Sequence, residues 1–231
     1  MSTIISNKKI IAALVPMRHH SQRVPGKNYR PLAGKPLYQH IIETLLAVPE
    51  INTILVDTDS EPVMDGLRTD FPQVKIIQRP ETLRAPEIPM NEILAFDTAQ
   101  VEADFYIQTH STNPLLKAET ISAAINGFLF KYPAFDSMFS VTRLQTRLWD
   151  SLTRPINHNP AILLQTQDLP PIYEENSCFY LFNRQNLLAR RNRLGERPLM
   201  YEIPRLEAVD IDEEADFEIA DLLMCRRLGK A

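Results

Sequence analysis

Residues 10–28 read IIAALVPMRHHSQRVPGKN, an apolar run followed at once by a basic loop. The run at residues 10–15 is short and continuously apolar, which is typical of a strand buried on both faces of a parallel sheet. In an open α/β sheet, ligands bind beyond the carboxyl ends of the strands. The loop at residues 17–28, called the basic loop below, is therefore predicted to border a ligand site.

The remaining chain alternates between strand-like and helix-like segments. Strands are predicted at residues 10–15, 51–56, 74–77, 105–109, 137–142, 178–182 and 199–203, and helices at 37–48, 88–101, 118–130 and 213–228. This alternation predicts an α/β fold in which a Rossmann-like, mostly parallel sheet carries helices on both faces, within a single domain of residues 1–231. A proline-rich segment at about 144–173 is predicted to leave the sheet as a small protruding excursion.

The composition narrows the class of protein. The 231 residues are 44% hydrophobic and 23% charged, with a net charge of −4. These values exclude a disordered chain and a coiled coil, and they argue against nucleic acid as a partner, which usually requires a net basic surface. The two cysteines, Cys178 and Cys225, have neither metal-binding nor disulfide spacing and suit a reducing compartment. No apolar run reaches the ~18 residues of a membrane helix, and no signal-peptide cleavage site follows residues 10–15, so we expect a cytoplasmic protein with no membrane partner.

The basic loop is the first candidate for ligand chemistry. It places Arg18, Arg23 and Lys27 within ten residues, together with the hydroxyl of Ser21 and the amide of Asn28. Such a set of cations and donors suits a polyphosphate, although a solvated surface loop explains the charge equally well. Its glycine spacing matches neither a Walker loop nor the dinucleotide fingerprint.

Two pairs of aspartates are candidate metal ligands. Asp210 and Asp212 are separated by one residue, so on an extended strand both carboxylates reach the same side, where hard oxygen ligands suit Mg²⁺. Taken alone, this segment favours a simpler interpretation, in which Asp212 caps the last helix and Asp216 lies in its first turn. Asp57 and Asp59, after the second predicted strand, form the rival pair. A solvated turn is the simpler interpretation, but an Asp-x-Asp after a strand is also how many glycosyltransferases that use a sugar nucleotide hold their metal.

The histidines and possible nucleophiles are less informative. His110 ends a predicted strand at the same edge of the sheet as the basic loop, so we expect it to face the ligand. His19 and His20 are adjacent, and their side chains therefore diverge. No serine lies between glycines and no cysteine follows a strand in the manner of a nucleophile, so covalent catalysis is not predicted.

The order and spacing of these motifs resemble the acylneuraminate cytidylyltransferase family over residues 11 to about 224. The matching motifs are Arg18, Ser21 and Arg23 with Pro25-Gly26-Lys27-Asn28, Leu32-Ala33-Gly34-Lys35-Pro36-Leu37, Asp59, Arg79-Pro80, Gln167-Asp168-Leu169-Pro170, Asn176-Ser177-Cys178-Phe179-Tyr180 and Asp210-Ile211-Asp212. Several motifs in the family's order are more specific than any one of them.

The resemblance implies a Mg²⁺-dependent enzyme that transfers CMP from CTP to a nonulosonic-acid-like sugar acid and releases pyrophosphate. It implies catalytic roles for Arg18, Lys27 and Asp212, and Mg²⁺ ligation by Asp210 and Asp212. The implied nucleotide-binding residues are Arg18, Ser21, Arg23, Lys27 and Asn28, and those on the sugar side are His110, Gln167, Asn176 and Tyr180. The excursion resembles the family's dimerisation arm, so a homodimer is expected.

The chain departs from the family pattern at three places. His19 and His20 replace a glycine pair and Gln22 replaces a lysine, so the path of the basic loop should differ. Ala85-Pro86 replaces Ser-Asp, which bears on the choice of base. Thr166 replaces the arginine before Gln167, so the fork that would bind a sugar carboxylate is missing there and ordinary sialic acid is not the expected substrate. A glycosyltransferase that uses Asp57 and Asp59, or a non-catalytic relative that binds a nucleotide, are the alternatives.

Overall fold

The central feature of the computed structural model, which describes residues 8–230, is a seven-stranded sheet in the order β5-β4-β1-β6-β8-β7-β9. Its strands are β1 (Ile11–Met17), β4 (Thr53–Thr58), β5 (Lys75–Gln78), β6 (Phe105–Thr109), β7 (Ser137–Leu144), β8 (Ile172–Phe182) and β9 (Pro198–Glu202). Only β8 runs antiparallel to its neighbours, and a separate two-stranded hairpin pairs β2 (Pro31–Leu32) with β3 (Lys35–Pro36). The predicted mostly parallel α/β sheet is confirmed.

Helices cover both faces of the sheet. They are α1 (Leu37–Leu46), α2 (Glu61–Asp70), α3 (Met90–Asp97), α4 (Ala118–Lys131), α5 (Arg184–Arg190) and α6 (Glu214–Arg227). The alternation along β1 divides the core, because Ala13 and Val15 pack with residues of α1, α2 and α4, whereas Ala12 and Leu14 pack with residues of α3 and α5. Among the helices of residues 8–230, none combines the length and the apolar character needed to cross a bilayer.

Some boundaries differ from the sequence prediction. The predicted helix at residues 88–101 is shortened to α3, because Pro89 stands at its N-cap and the chain continues after Asp97 in single turns. Pro62 and Gly66 weaken the helical sequence pattern of α2, and α5 has only seven residues. Neither helix is therefore predicted from the sequence. β8 begins six residues before the predicted strand at 178–182.

The excursion connects the paired ends of β7 and β8, where Leu144 lies opposite Ile172. Residues 145–171 lie outside the sheet and contain one isolated bridge, Trp149 with Pro155, and a short 3-10 helix, Thr166–Asp168. Several of its apolar side chains are exposed, including Trp149, Leu152, Ile156, Ile162 and Leu163. Its role as a dimerisation arm stays a prediction.

A third apolar cluster, called the loop core below, fixes the part of the molecule that carries the candidate site. It joins Val24 of the basic loop and Leu32 of β2 to Ile211, just before α6, and to Phe217 on α6. The backbone N–H of Ala33 also donates to Asp221 of α6 at 2.6 Å. Burial of these side chains therefore holds the end of the chain against the loop that follows the first strand.

Two glycines in helix interiors give a paired test of the packing. A methyl group at Gly66 in α2 would collide with the hydroxyl of the buried Tyr38 on α1, whereas a methyl group at Gly127 in α4 would meet no atom within 4 Å. We expect Gly66→Ala to lower the free energy of unfolding by about 1–3 kcal/mol through overpacking. Gly127→Ala should raise it by about 0.5–1 kcal/mol, because alanine favours the helix.

Denaturant unfolding measures both effects. Adding Tyr38→Phe to Gly66→Ala removes the hydroxyl that the new methyl group meets, so this double variant should recover part of the lost stability. Equal effects of Gly66→Ala and Gly127→Ala would contradict the packing of α1 on α2 described above.

Candidate active site

The basic loop and the two late aspartates lie together. Lys27 donates from Nζ to the carbonyl oxygen of Ile211 at 2.5 Å, and Arg23 Nη2 lies 2.6 Å from Asp212 Oδ1. The loop core brings these two distant segments into contact. The convergence of cations and carboxylates that the sequence prediction requires is therefore present in the fold.

The basic loop is held in shape by its own polar side chains. Asn28 is buried, donates from Nδ2 to the carbonyl of Arg18 at 2.8 Å and accepts from the Ser111 hydroxyl at 2.6 Å. The Ser21 hydroxyl accepts from the N–H of Val24 at 3.3 Å. Ser21 and Asn28 therefore order the loop, and their predicted contact with a nucleotide stays a prediction.

A left-handed turn at Gly26, with φ of 68°, leads into the 3-10 turn Lys27–Tyr29 and aims Lys27 at the acidic segment. Burial lowers the pKa of Lys27, while the carboxylates of Asp210 and Asp212 oppose that shift. Lys27 is thus partly removed from water, where a positive charge acts strongly on a bound anion.

Asp210 and Asp212 form the acidic pair. The segment is anchored because the N–H of Ile211 donates to the carbonyl of Thr112 at 3.0 Å. Burial raises the pKa of Asp210, and a hydrogen bond with Thr112 opposes the shift. One oxygen of Asp210, Oδ1, is buried without a hydrogen-bond partner among residues 8–230, whereas the Asp212 side chain is 49% exposed.

The alternative role of Asp212 as a helix cap does not hold. The N-cap of α6 is Glu213, which forms a reciprocal capping box with Asp216. The backbone N–H of Asp212 also donates to Asp216, at 3.0 Å. The side chain of Asp212 is thus not needed for capping and faces Arg23.

The other end of the basic loop lies against the exit of β4. His19 donates from its backbone N–H to Asp59 Oδ1 at 2.7 Å, its Nδ1 lies 2.9 Å from the Ser60 hydroxyl, and its ring stacks on Tyr29. Within residues 8–230, the Arg18 side chain makes a single long contact, 3.4 Å, from Nη1 to the carbonyl of Pro86. Asp59 therefore supports the loop, and Arg18 keeps most of its donors for a ligand.

The rival metal pair is contradicted by the structure. Asp57 and Arg79 are 0% and 1% exposed, and Arg79 Nε donates to Asp57 Oδ2 at 3.1 Å. Asp97 lies beside this ion pair, and burial together with the negative charge of Asp57 raises the pKa of Asp97 to about 9. Asp57 is committed to this buried ion pair, so its carboxylate is not accessible to a metal shared with Asp59, which accepts from the N–H of His19.

A linked set of polar side chains lies at the end of β6. Arg193 Nη1 donates to Gln108 Oε1 at 2.6 Å, which leaves the amide nitrogen of Gln108 to donate to His110 Nε2 at 2.9 Å. This orientation places the proton of the neutral His110 ring on Nδ1. Burial and the positive charges of Arg193 and Lys27 lower the pKa of His110 to about 4, so the ring is a neutral donor at pH 7.

Of the other residues predicted on the sugar side, Tyr180 lies next to Gln108, whereas Asn176 and Gln167 have hydrogen-bond partners elsewhere. Tyr180 lies opposite Gln108 in the sheet, and its hydroxyl donates to Glu175. Asn176 accepts from the Ser140 hydroxyl at 2.6 Å and donates to Thr142 at 2.9 Å, so its amide is engaged with β7. Gln167 is exposed on the excursion and its hydrogen bonds are to Gln145 and Gln165, so the structure does not join it to the others.

Sequence reasoning missed Gln108 and Arg193. Gln108 precedes His110 by two residues on the same strand, so the period of two could have placed it on the same face. Arg193 belongs to the loop between α5 and β9, and its backbone N–H donates to Asn91 of α3 at 3.2 Å. No local pattern signals a position that depends on packing between two helices distant in sequence.

In this α/β sheet, a basic loop after the first strand faces a carboxylate pair. The sequence model of the cytidylyltransferase family matches residues 12–218, and the chain belongs to this family.

Individual relatives agree with this assignment. N-acylneuraminate cytidylyltransferase A of Danio rerio is 28% identical over 94% of this chain and 51% of that protein. CMP-N,N'-diacetyllegionaminic acid synthase of Legionella pneumophila is 28% identical over 93% of this chain and 96% of that protein. The chain thus spans about half the length of the N-acylneuraminate cytidylyltransferase. A solved structure of a CMP:2-keto-3-deoxy-manno-octonic acid synthetase complexed with CTP shares the fold, with a TM-score of 0.68 and 18% identity over 94% of this chain and 99% of that one.

The buried Asp57–Arg79–Asp97 network predicts a specific dependence of stability on pH. Asp97 keeps its proton in the folded chain up to about pH 9, whereas in the unfolded chain it ionises near pH ~4. The folded state therefore binds more protons between these values, and the wild type loses stability as the pH rises through that window.

Asp97→Asn replaces the protonated acid with an amide that does not titrate. We expect the free energy of unfolding of this variant, relative to the wild type, to be higher at pH 8 than at pH 5, as measured by urea unfolding at the two values. Glu92→Gln, an exposed change on the same helix, should give a difference that does not depend on pH. The same independence for Asp97→Asn would contradict the raised pKa.

Proposed function

We propose that the chain is a Mg²⁺-dependent cytidylyltransferase that transfers CMP from CTP to a sugar acid and releases pyrophosphate. The observation that carries the proposal is the contact of the basic loop with the acidic pair, through Lys27 with Ile211 and through Arg23 with Asp212. Membership of the cytidylyltransferase family supports it, as do the names of relatives that act on acylneuraminic and diacetyllegionaminic acids.

The cations of the basic loop suit a triphosphate. Arg18 and Lys27 belong to the loop that follows the carboxyl end of β1, and Arg23 adds a third positive charge. Arg23 and Asp212 are 60% and 49% exposed, so their ion pair is worth ~0–1 kcal/mol and Asp212 can exchange Arg23 for another cation at little cost. The phosphates can then take Arg23 as a counter-ion.

The acidic pair fits Mg²⁺. Mg²⁺ usually binds through one or two carboxylates together with phosphate oxygens and water, and a pair of aspartates supplies the protein's share. The unpartnered, buried Oδ1 of Asp210 is an acceptor that a cation would satisfy. Over residues 8–230, no cluster of three or more His, Cys, Asp or Glu side chains could hold a metal without the nucleotide. A bound Mg²⁺ would neutralise phosphate charge and lower the pKa of the attacking hydroxyl.

The chain's own residues position the reaction. A hydroxyl of the sugar acid attacks the α-phosphate, and the bond to pyrophosphate breaks, with the charge of the leaving group next to Arg18 and Lys27. His110 is neutral and carries its proton on Nδ1, so it can donate a hydrogen bond to the sugar but does not act as an acid at pH 7. Positioning and charge neutralisation supply most of the rate in such phosphoryl transfers.

The proposal includes a cytoplasmic homodimer. The excursion exposes Leu152 and Leu163, which are 68% and 89% exposed, and burial against a second copy would remove this apolar surface from water. Cys178 and Cys225 are free thiols, which suits a reducing compartment.

Release of pyrophosphate tests the proposed reaction. We expect release with CTP and Mg²⁺ for at least one of an N-acylneuraminic acid and N,N'-diacetyllegionaminic, pseudaminic and 3-deoxy-manno-octulosonic acids, the sugars in the names of the relatives. ATP, GTP and UTP should give little release. Asp210→Asn and Asp212→Asn should each lower kcat by about 100-fold or more, because each removes charge that stabilises the transition state.

Glu218→Gln is the matched control, since it removes an exposed carboxylate of α6 that takes no part in the site. It should keep the wild-type kcat. Turnover at the wild-type rate in both aspartate variants would contradict the roles given to the acidic pair. Binding of CTP with no turnover of any of the four acids would favour the non-catalytic relative instead.

A further inference from the structure

Arg193 is a guanidinium held at the candidate site by three unrelated segments. Its Nη1 donates to Gln108 at 2.6 Å, its Cζ lies 3.4 Å above the centre of the Tyr180 ring, and its backbone is tied to Asn91 at 3.2 Å. Stacking on tyrosine uses the face of the planar group and leaves its edge available for hydrogen bonds. The side chain is thus fixed in orientation before any ligand binds.

The positive charge of Arg193 has no close counter-ion. Among residues 8–230, no carboxylate lies within 4 Å of its guanidinium, whereas the other largely buried arginine, Arg79, is paired with Asp57 at 3.1 Å. The negative charge of Glu175 raises the pKa of Arg193, but its carboxylate is more than 4 Å from the guanidinium. That carboxylate accepts a hydrogen bond from the Tyr180 hydroxyl. Burial lowers the pKa of Arg193, but an arginine stays charged in proteins. A partly desolvated cation without a paired carboxylate is costly, and an anionic ligand would offset that cost.

The position of Arg193 separates it from the cations of the basic loop. The positive charge of Arg193, in the loop after α5, lowers the pKa of His110. The positive charge of Lys27 lowers the same pKa from the basic loop. The triphosphate already has Arg18, Arg23 and Lys27 in that loop. Arg193 therefore serves a second anionic group, on the side of His110 and Tyr180 where the sugar is expected.

We propose, building on the cytidylyltransferase function proposed above, that Arg193 binds the carboxylate of the sugar acid through the free edge of its guanidinium. Tyr180 and Gln108 are positioning residues that hold it. The arginine that the sequence pattern lacks at Thr166 is thus replaced by one from the loop between α5 and β9. Recognition of a carboxylated sugar is then compatible with this chain.

The test compares each sugar acid with its methyl ester, which removes the carboxylate charge. Calorimetry measures the binding of the four acids named above and of their esters, without Mg²⁺, to the wild type and to Arg193→Gln. For the acid that binds most tightly, the wild type should prefer the free acid by about 10-fold to 100-fold, as expected for hydrogen bonds to a charged group. In Arg193→Gln the preference should fall to about one, while the affinity for CTP stays unchanged.

Arg184→Gln is the matched control, because Arg184 is an exposed arginine of α5 in the same part of the chain. It should keep the wild-type preference for the free acid. Arg193→Lys keeps the charge but not the planar fork, so its preference should lie between those of the wild type and Arg193→Gln. If Arg193→Gln does not fold, as judged by near-UV circular dichroism, Arg193→Lys decides the test.

Three results would overturn the inference: an unchanged preference in the Arg193 variants, a loss of CTP affinity with acid binding intact, or no binding of any of the acids to the wild type. Failure of the proposed function has a different signature. In that case the wild type binds a free acid in preference to its ester, yet releases no pyrophosphate when CTP and Mg²⁺ are added.

Discussion

Burial of the loop core is the interaction on which the candidate site depends. Val24, Leu32, Ile211 and Phe217 come from opposite ends of the chain, and their removal from water holds α6 against the basic loop. Ile211 is fully buried between Asp210 and Asp212. Arg23 pairs with Asp212, and the positive charge of Lys27 acts on Asp210, on either side of Ile211. Lys27 completes the arrangement by donating to the carbonyl oxygen of the same residue.

The site has two sides that meet at His110. On one side, the basic loop and the acidic pair supply charges of opposite sign, which the proposed triphosphate and its metal would use. On the other side, the sequence of hydrogen bonds from Arg193 through Gln108 to His110 fixes both the amide orientation and the tautomer of the ring. The same network holds the guanidinium that is proposed above to bind the sugar carboxylate. In the proposed reaction the two substrates react directly with each other, so no protein nucleophile is needed.

The sequence predicted the features whose signals are local. β6 has the predicted bounds and every other predicted strand overlaps an observed one, although β8 begins six residues earlier than predicted. The spacing of charged residues locates the basic loop and the acidic pair. Features that depend on distant partners were not predictable. Nothing near Asp57 reveals that Arg79 and Asp97 enclose it, and nothing near Arg193 reveals its contacts with Tyr180 and Gln108. A charged residue's role depends on its burial and on its partner, and both are fixed only when the sheet is assembled.

The coupling between CTP and Mg²⁺ tests the central claim most directly. If the basic loop and the acidic pair form one site, Mg²⁺ should tighten CTP binding to the wild type by about tenfold or more, which is about 1.4 kcal/mol. Calorimetric titration of the double variant Asp210→Asn/Asp212→Asn should show no such gain. An equal effect of Mg²⁺ on the wild type and on the double variant would contradict the account.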